Sequence, residues 1–140
     1  MIQKFHNLQI NTKGKKLYEF TNQTIEWIKK NKLKDGILNL SIQHTSASLI
    51  VQENADPDVQ TDLINYFDNL VPMNDELYIH KTEGKDDMPA HIKSALTNNQ
   101  ISLSIKNNKI LLGTWQGIYL FEHRFHPQTR TITHHFFGEI

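Results

Sequence analysis

Apolar and polar residues alternate along seven stretches of the chain, and successive side chains on a strand point to opposite faces. This period of two predicts β-strands. The stretches are residues 4–10, 17–20, 37–44, 46–53, 101–105, 110–122 and 130–137. Gly14 separates the first two stretches, so we expect the second strand to return along the first.

Three other segments repeat their apolar residues at helical spacing. One is capped at Thr21 or Asn22 and ends at residue 31. Another begins at Asp56-Pro57, where aspartate is a favoured N-cap and proline a favoured first helical residue. The third covers residues 88–98. Strands and helices in this order predict a mainly antiparallel α+β domain, with two or three helices packed on sheet.

Two dipeptides predict tight turns between these elements. Asp35-Gly36 combines two turn-forming residues ahead of the third strand. Asn107-Asn108 suits the left-handed backbone conformation of a two-residue hairpin. Residues 77–80 are predicted to form a short extended segment.

The composition of the chain argues against several classes of partner and of chemistry. The chain of 140 residues fits one domain, residues 1–140. It has 15 Lys and Arg against 15 Asp and Glu, and this zero net charge argues against a nucleic-acid partner, which requires basic surface. The absence of cysteine excludes disulfides and thiolate chemistry. No signal peptide or membrane-spanning apolar run is evident, so we expect a cytoplasmic protein with no membrane partner.

Two polar segments follow strands and are candidates for chemistry. In the first, His44 precedes Thr45 and Ser46, small hydroxyl residues that let an anion or a metal approach closely. The structural alternative is a hydrogen-bonded core histidine at a strand end. In the second, Glu53 continues the apolar face of its strand, where a partly buried carboxylate is a candidate general base.

The third polar segment, residues 80–91, is the richest in metal-ligand chemistry. It contains His80, His91 and the adjacent carboxylates Asp86 and Asp87. We expect Asp87 to cap the helix that follows and to leave Asp86 free. Oxygen ligands favour Mg²⁺ and imidazoles favour Zn²⁺, so the residue types predict a divalent metal. The spacing matches no specific metal motif such as H-E-x-x-H.

The remaining candidates rest on single features. Trp115 and Gln116 are predicted to lie mid-strand between two glycines, where the indole either stacks on a flat heterocycle or belongs to the core. His134 and His135 are adjacent on a strand and must point to opposite faces, so they cannot easily share a metal.

Three stretches together resemble the YjbQ-like family, also described as uncharacterised protein family 0047. They are HTSASLIVQENADP at residues 44–57, YIHKTEGKDDMPAHIKSAL at residues 78–96 and LLGTWQGIYLFEHR at residues 111–124. The resemblance implies an α+β fold, a seven-stranded β-sandwich with two to three helices. It also implies a homotrimer whose site lies between subunits.

The same resemblance implies a secondary thiamine-phosphate synthase activity, which joins a pyrimidine pyrophosphate to a thiazole phosphate. Carried over residue by residue, the implied catalytic groups are Glu53, Asp86 and His91, and the implied ligands of a divalent metal (Mg²⁺ or Zn²⁺) are His44, His80 and His91. The implied contacts to a small phosphorylated metabolite are Thr45, Ser46, Trp115, Gln116 and Arg124. The alternatives are a metal-dependent hydrolase or phosphatase, and a non-catalytic trimer that binds a metal or an anion.

Overall fold

A computed structural model describes all 140 residues of the chain. It contains three α-helices and eight β-strands, where seven strands were expected. The helices are α1 (Thr21–Lys30), α2 (Pro57–Leu70) and α3 (Asp87–Leu96). The strands are β1 (Ile2–Thr12), β2 (Lys16–Glu19), β3 (Asp35–Ile42), β4 (Ala47–Glu53), β5 (Gln100–Lys106), β6 (Lys109–Ile110), β7 (Gln116–Glu122) and β8 (Gln128–Glu139). No helix is both long and apolar enough to cross a membrane.

The strands form two antiparallel sheets that enclose the main core. One sheet has the order β1-β8-β3-β5-β6, and the other has the order β2-β7-β4. The alternation at residues 37–44 predicts that Leu38, Leu40, Ile42 and His44 share one face of β3, and the first three are buried as expected of an inward face. They pack with apolar residues of the facing sheet, such as Leu49 and Leu120. The α+β prediction is therefore confirmed, and the core lies against the strand face that the alternation predicted to be buried.

The eighth strand arises because the stretch predicted as one strand at residues 110–122 is interrupted. Its first part is β6 and its second part is β7, separated by a turn at residues 111–115. The backbone N–H of Gly113 donates to the side-chain Oε1 of Gln116 at 2.6 Å, and this bond closes the turn. Trp115 consequently lies in the turn and is 63% exposed, rather than mid-strand.

The predicted return of β2 along β1 is wrong. β2 pairs with β7, and Leu17 is in register with Phe121. Both side chains are buried in a second, smaller apolar cluster, against which Leu63 and Phe67 of α2 pack. Burying this cluster under α2 outweighs the local preference for a hairpin, because apolar burial is the larger driving force.

The two predicted turns have different outcomes. Asn107 and Asn108 have φ angles of 52° and 62° and form the expected β5–β6 hairpin. Asp35-Gly36 instead begins β3, and Lys32, with φ 55°, makes the turn before it. Gly36 is needed for close approach: a Cβ there would collide with the backbone of β8.

All three predicted helices are present, but of their predicted N-caps only Asp56 is confirmed. The Asp56 carboxylate accepts the backbone N–H of Asp58 at 2.9 Å, and Pro57 is the first residue of α2. Thr21 lies inside α1, and its hydroxyl accepts the backbone N–H of Ile118 at 2.8 Å instead of capping the helix. The segment predicted to be extended at residues 77–80 is only partly so: a 3-10 turn covers Asp75–Leu77, and Tyr78 after it has an extended backbone.

Candidate metal centre

The first turn of α3 and the segment before it bring three metal-ligand side chains together. Asp87 and His91 lie one helical turn apart and so share a face of α3. The Asp87 Oδ2 atom lies 2.7 Å from His80 Nε2 and 3.1 Å from His91 Nε2. One ligand atom from each of the three residues lies within 4.8 Å of the other two. Two imidazoles and one carboxylate are a ligand set that catalytic zinc and non-haem iron sites use.

A backbone contact fixes the orientation of the His91 ring. Its Nδ1–H donates to the carbonyl oxygen of Thr45 at 2.8 Å. In the neutral ring, Nε2 therefore carries a lone pair directed at the Asp87 carboxylate. A lone pair and a carboxylate oxygen at 3.1 Å repel each other unless a proton or a metal cation lies with them. The three side chains therefore fit a divalent cation, and a backbone carbonyl on the outer nitrogen is the usual support of a metal-binding histidine.

Arg124, expected to contact a substrate phosphate, is used within the chain. Its Nη1 donates to Asp87 Oδ1 at 2.6 Å, and its Nε donates to Asp86 Oδ2 at 3.0 Å. Its Nη2 donates to the carbonyl oxygen of Glu83 at 2.8 Å. All three nitrogens of the guanidinium are therefore engaged, and Arg124 holds Asp87 from the side opposite the histidines.

The two adjacent aspartates have roles different from those expected. Neither side chain caps α3, and Asp86 is bound by Arg124 and by the backbone N–H of Phe125 at 2.9 Å. Asp87, expected to be the cap, is the carboxylate that contacts both histidines. Burial alone would raise the pKa of Asp87, but the hydrogen bond from His80 and the positive charges nearby outweigh it and lower the pKa. Asp87 is therefore ionised at neutral pH, as a metal ligand must be.

His44, an expected ligand, is not part of this group. Its Nε2 accepts the backbone N–H of Thr131 at 3.1 Å, which uses the lone pair that a metal would need. Burial and then the charge of Arg130 lower the pKa of His44, so its ring is neutral at pH 7. The structure places His44 beside the centre, in the wall of a cleft that His91 also lines.

This cleft is open and polar, with a volume of about 370 Å³. It lies along α3, and its other lining residues are Thr45, Ser94, Ala95, Thr97 and Asn99. The ring of His91 belongs both to the cleft wall and to the three-ligand group. His80 and Asp87 do not line the cleft, so His91 is the side chain that connects the cleft with the three-ligand group.

A buried ion pair supports the cleft from behind. Glu122 is fully buried and receives Arg130 Nε at 2.8 Å and Arg130 Nη2 at 2.6 Å. Arg130 Nη2 also donates to Ser46 Oγ at 2.9 Å, so Ser46 is a structural partner in this chain. The sequence analysis did not identify Glu122 or Arg130, and it assigned Asp87 to the helix cap and not to the site. The signal was available for the first two, since each alternates with buried apolar residues on the inward face of its strand and a buried charge requires a partner.

Three expected site residues lie far from the centre within one chain. Ala47 of β4 is opposite Glu122, whereas Glu53 is opposite Gln116 at the other end of the same strand pair. At about 3.3 Å per residue, the two ends are separated by about 20 Å. Trp115, which precedes Gln116, is at the distant end as well. The structure therefore does not bring Glu53, Trp115 and Gln116 to the His80–Asp87–His91 group.

Two other histidines are core residues. His123 is 1% exposed, and its Nε2 lies 2.9 Å from Ser48 Oγ. His134 is fully buried, and its Nε2 lies 2.9 Å from Thr24 Oγ1. His135 is on the opposite face of β8, as the alternation predicted. Burial lowers the pKa of His123 to about 3 and that of His134 to about 4, so both are neutral at pH 7.

Comparison with known proteins identifies the family to which this chain belongs. A sequence model described as UPF0047 protein YjbQ-like matches residues 6–139. This chain belongs to the YjbQ-like family. The UPF0047 protein sll1880 of Synechocystis is 48% identical to it over 95% of this chain and 90% of that protein. The UPF0047 protein YjbQ of Escherichia coli O157:H7 is 48% identical over 69% of this chain and 70% of that protein.

A solved structure shares the fold. The YbjQ-like protein of unknown function from Sulfolobus solfataricus has a TM-score of 0.85 against this chain, at 20% identity. The match covers 99% of this chain and all of that chain. The α+β architecture is thus that of a YjbQ-like protein over the whole chain.

Proposed function

We propose that this YjbQ-like protein is a divalent-metal-dependent hydrolase that cleaves a small phosphate or carboxylate ester. The observation that carries the proposal is the convergence of His80 Nε2 and His91 Nε2 on Asp87 Oδ2, at 2.7 and 3.1 Å. Two imidazoles and one carboxylate leave coordination positions open for substrate and water, which distinguishes a catalytic site from a closed structural one. A bound divalent metal polarises a phosphoryl or carbonyl oxygen and lowers the pKa of a coordinated water.

The surrounding residues prepare this ligand set. The Thr45 carbonyl holds the His91 ring with Nε2 facing the centre. Arg124 binds Asp87 Oδ1, which leaves Oδ2 directed at the histidines. Asp87 is 1% exposed, so the centre is screened from water on its protein side. A preorganised and partly dry ligand set is what metal-assisted hydrolysis requires.

The coupling of a pyrimidine pyrophosphate to a thiazole phosphate remains a prediction with less support. No side chain at the centre is specific for either heterocycle. The guanidinium expected to bind the phosphate is occupied by Asp86, Asp87 and the Glu83 carbonyl. Within one chain Trp115, the expected stacking surface, lies just before the distant end of β7, so stacking would require the Trp115 of a neighbouring subunit.

Zinc titration combined with an ester-hydrolysis assay tests the hydrolase proposal. We expect metal-free protein to bind one Zn²⁺ per chain, and the loaded protein to hydrolyse p-nitrophenyl phosphate or p-nitrophenyl acetate until a chelator is added. Asp87→Asn should abolish both binding and turnover. His126→Gln, which changes an exposed histidine outside the centre, is the matched control and should alter neither. Turnover that survives chelation or the Asp87→Asn change would show that the centre is not the site of hydrolysis.

We further propose that the active form is a homotrimer in which a neighbouring subunit completes the site. The family resemblance implies that Trp115 and Gln116 contact the substrate. Because the two ends of the β4–β7 pair are about 20 Å apart, only a neighbouring subunit could bring these residues to the centre. Exposed apolar side chains lie beside both regions: Ile79, next to His80, is fully exposed, and Trp115 is 63% exposed. Apolar surface of this kind is typical of interfaces between subunits.

Light scattering and subunit mixing test the trimer. We expect a solution mass of three chains. Asp87→Asn and Trp115→Ala proteins, each inactive alone, should regain activity when they are unfolded and refolded together, because mixed trimers contain some sites with both residues intact. A monomeric mass, or a mixture no more active than its components, would contradict a shared site while leaving the hydrolase proposal to its own assay.

A further inference from the structure

The cleft beside His91 differs from a phosphate-binding pocket in its charge. It is lined by hydroxyl, amide and imidazole groups, and by no lysine or arginine. The nearby buried cations are used elsewhere: Lys93 Nζ donates to Asp68 Oδ1 at 2.6 Å, and Arg130 is paired with Glu122. Phosphate sites usually offer positive charge or clustered backbone N–H groups. A ligand group with several negative charges would find no such partner in the cleft wall.

Two of the three hydroxyl groups of the cleft wall, those of Ser94 and Thr97, already donate their hydrogens within the chain. The Ser94 hydroxyl donates to the Ala47 carbonyl at 2.7 Å, and the Thr97 hydroxyl donates to the Lys93 carbonyl at 2.8 Å. Each hydroxyl oxygen keeps lone pairs and can only accept from a ligand while these bonds persist. The wall therefore presents acceptors at fixed positions.

Asn99 adds a side chain that both donates and accepts. Its side-chain amide is exposed in the cleft wall, and amides of this type bind hydroxyl groups through either end. Acceptors at fixed positions together with one such amide match a ligand that carries several O–H groups.

We propose that the cleft binds the hydroxyl-bearing body of a polyol monoester, such as a pentose phosphate, with its single anionic group at the metal position. This inference rests on the proposed function for the placement of the anionic group only. The volume of about 370 Å³ accommodates a body of this size. His91, shared by cleft and centre, is the point where the two parts of the ligand would meet.

Protein NMR with four probes tests the proposal, using backbone amide shifts of the full chain in metal-free and zinc-loaded forms. Ribose should shift the amides of residues 94–99 in both forms, because its binding does not need the metal. Inorganic phosphate should shift residues near His91 in the zinc-loaded form only. Ribose 5-phosphate should bind the zinc-loaded form at least tenfold more tightly than ribose, and pyrophosphate should show no cleft shifts without zinc.

Two variants separate the cleft from the metal centre. Thr97→Val removes one acceptor at nearly constant shape and should weaken ribose binding at least threefold without changing zinc affinity. Ser102→Ala, which removes an exposed hydroxyl on β5, is the matched control and should change nothing. The inference is overturned if ribose leaves residues 94–99 unshifted, or if phosphate alone shifts them in metal-free protein. Ribose binding without any zinc-dependent turnover would instead refute the hydrolase and leave the cleft assignment intact.

Discussion

Replacing Glu122 by glutamine tests whether the buried ion pair behind the cleft supports the fold. The Glu122 side chain is fully buried, and its two oxygens receive five donors. Oε1 receives the Thr12 hydroxyl and Arg130 Nε, and Oε2 receives Arg130 Nη2 and the backbone N–H groups of His123 and Arg124. Whichever way a glutamine amide turns, its NH₂ group faces at least two donors.

The expected loss of stability arises because Glu122→Gln leaves the Arg130 guanidinium, which is 4% exposed, without its counter-charge. Removing one partner of a buried pair typically destabilises a protein by about 3–5 kcal/mol. For a domain of this length each kcal/mol lowers Tm by roughly 3–5 °C, so a fall of more than about 10 °C is expected. The free energy of unfolding should be measured by urea denaturation, followed by the fluorescence of Trp27, which is buried in the core.

The control is Glu139→Gln, the same chemical change at an exposed position near the end of β8. Surface changes of this kind are usually within about 0.5 kcal/mol of the parent protein. The double variant Glu122→Gln with Arg130→Met should recover part of the loss, because it removes the unpaired charge. A Glu122→Gln protein less than about 1 kcal/mol below the parent would refute the reasoning that the pair is buried and fully engaged.

The remaining predictions concern the metal support, acid stability, a close approach and a helix cap. Arg124→Lys should weaken zinc binding by about 10–100-fold in a zinc titration, because lysine cannot bind Asp86 and Asp87 together. As the pH falls from 6.5 to about 4, the free energy of unfolding should decrease by up to about 1.4 kcal/mol per pH unit through His134. The reason is that the folded pKa of His134, about 4, lies below the unfolded value, so only the unfolded state takes up a proton between these two pH values. His134→Phe should reduce this slope in a urea-denaturation pH series and leave the part that His123 contributes, and an unchanged slope would contradict a neutral buried His134 ring. Gly36→Ala should destabilise the protein by about 1–3 kcal/mol in urea denaturation through overpacking against β8, and a neutral result would show that the strands can separate. Asp56→Ala should cost about 1 kcal/mol in thermal unfolding through loss of the α2 cap, and no loss would mean that the cap is solvated.

Local patterns were sufficient where one interaction decides the conformation. The alternation of β3 correctly predicted its buried face, because an inward polar residue would be unpaired there. The helix start at Asp56-Pro57 and the hairpin at Asn107-Asn108 were also predicted correctly. Each depends on a φ angle or a hydrogen bond of the residues themselves. Residues 80–91 were identified as the richest candidate segment from residue type alone.

Several features depended on contacts between residues far apart in the chain. The choice of Asp87 over Asp86 as the carboxylate of the centre follows from Arg124, 37 positions along the chain, which binds both. The pairing of β2 with β7 follows from an apolar cluster that forms only when α2 covers it.

The sequence by itself determined the α+β class, the family and the residue types available for metal chemistry, because these are written in local periodicity and in motifs. Only the tertiary structure decided which of those residues meet. It placed His80, Asp87 and His91 within 4.8 Å of one another. It also placed Glu53 and Gln116 at the far end of the β4–β7 pair. The physical reason is that strand register and helix docking are set by burial summed over the whole core, which no short segment contains.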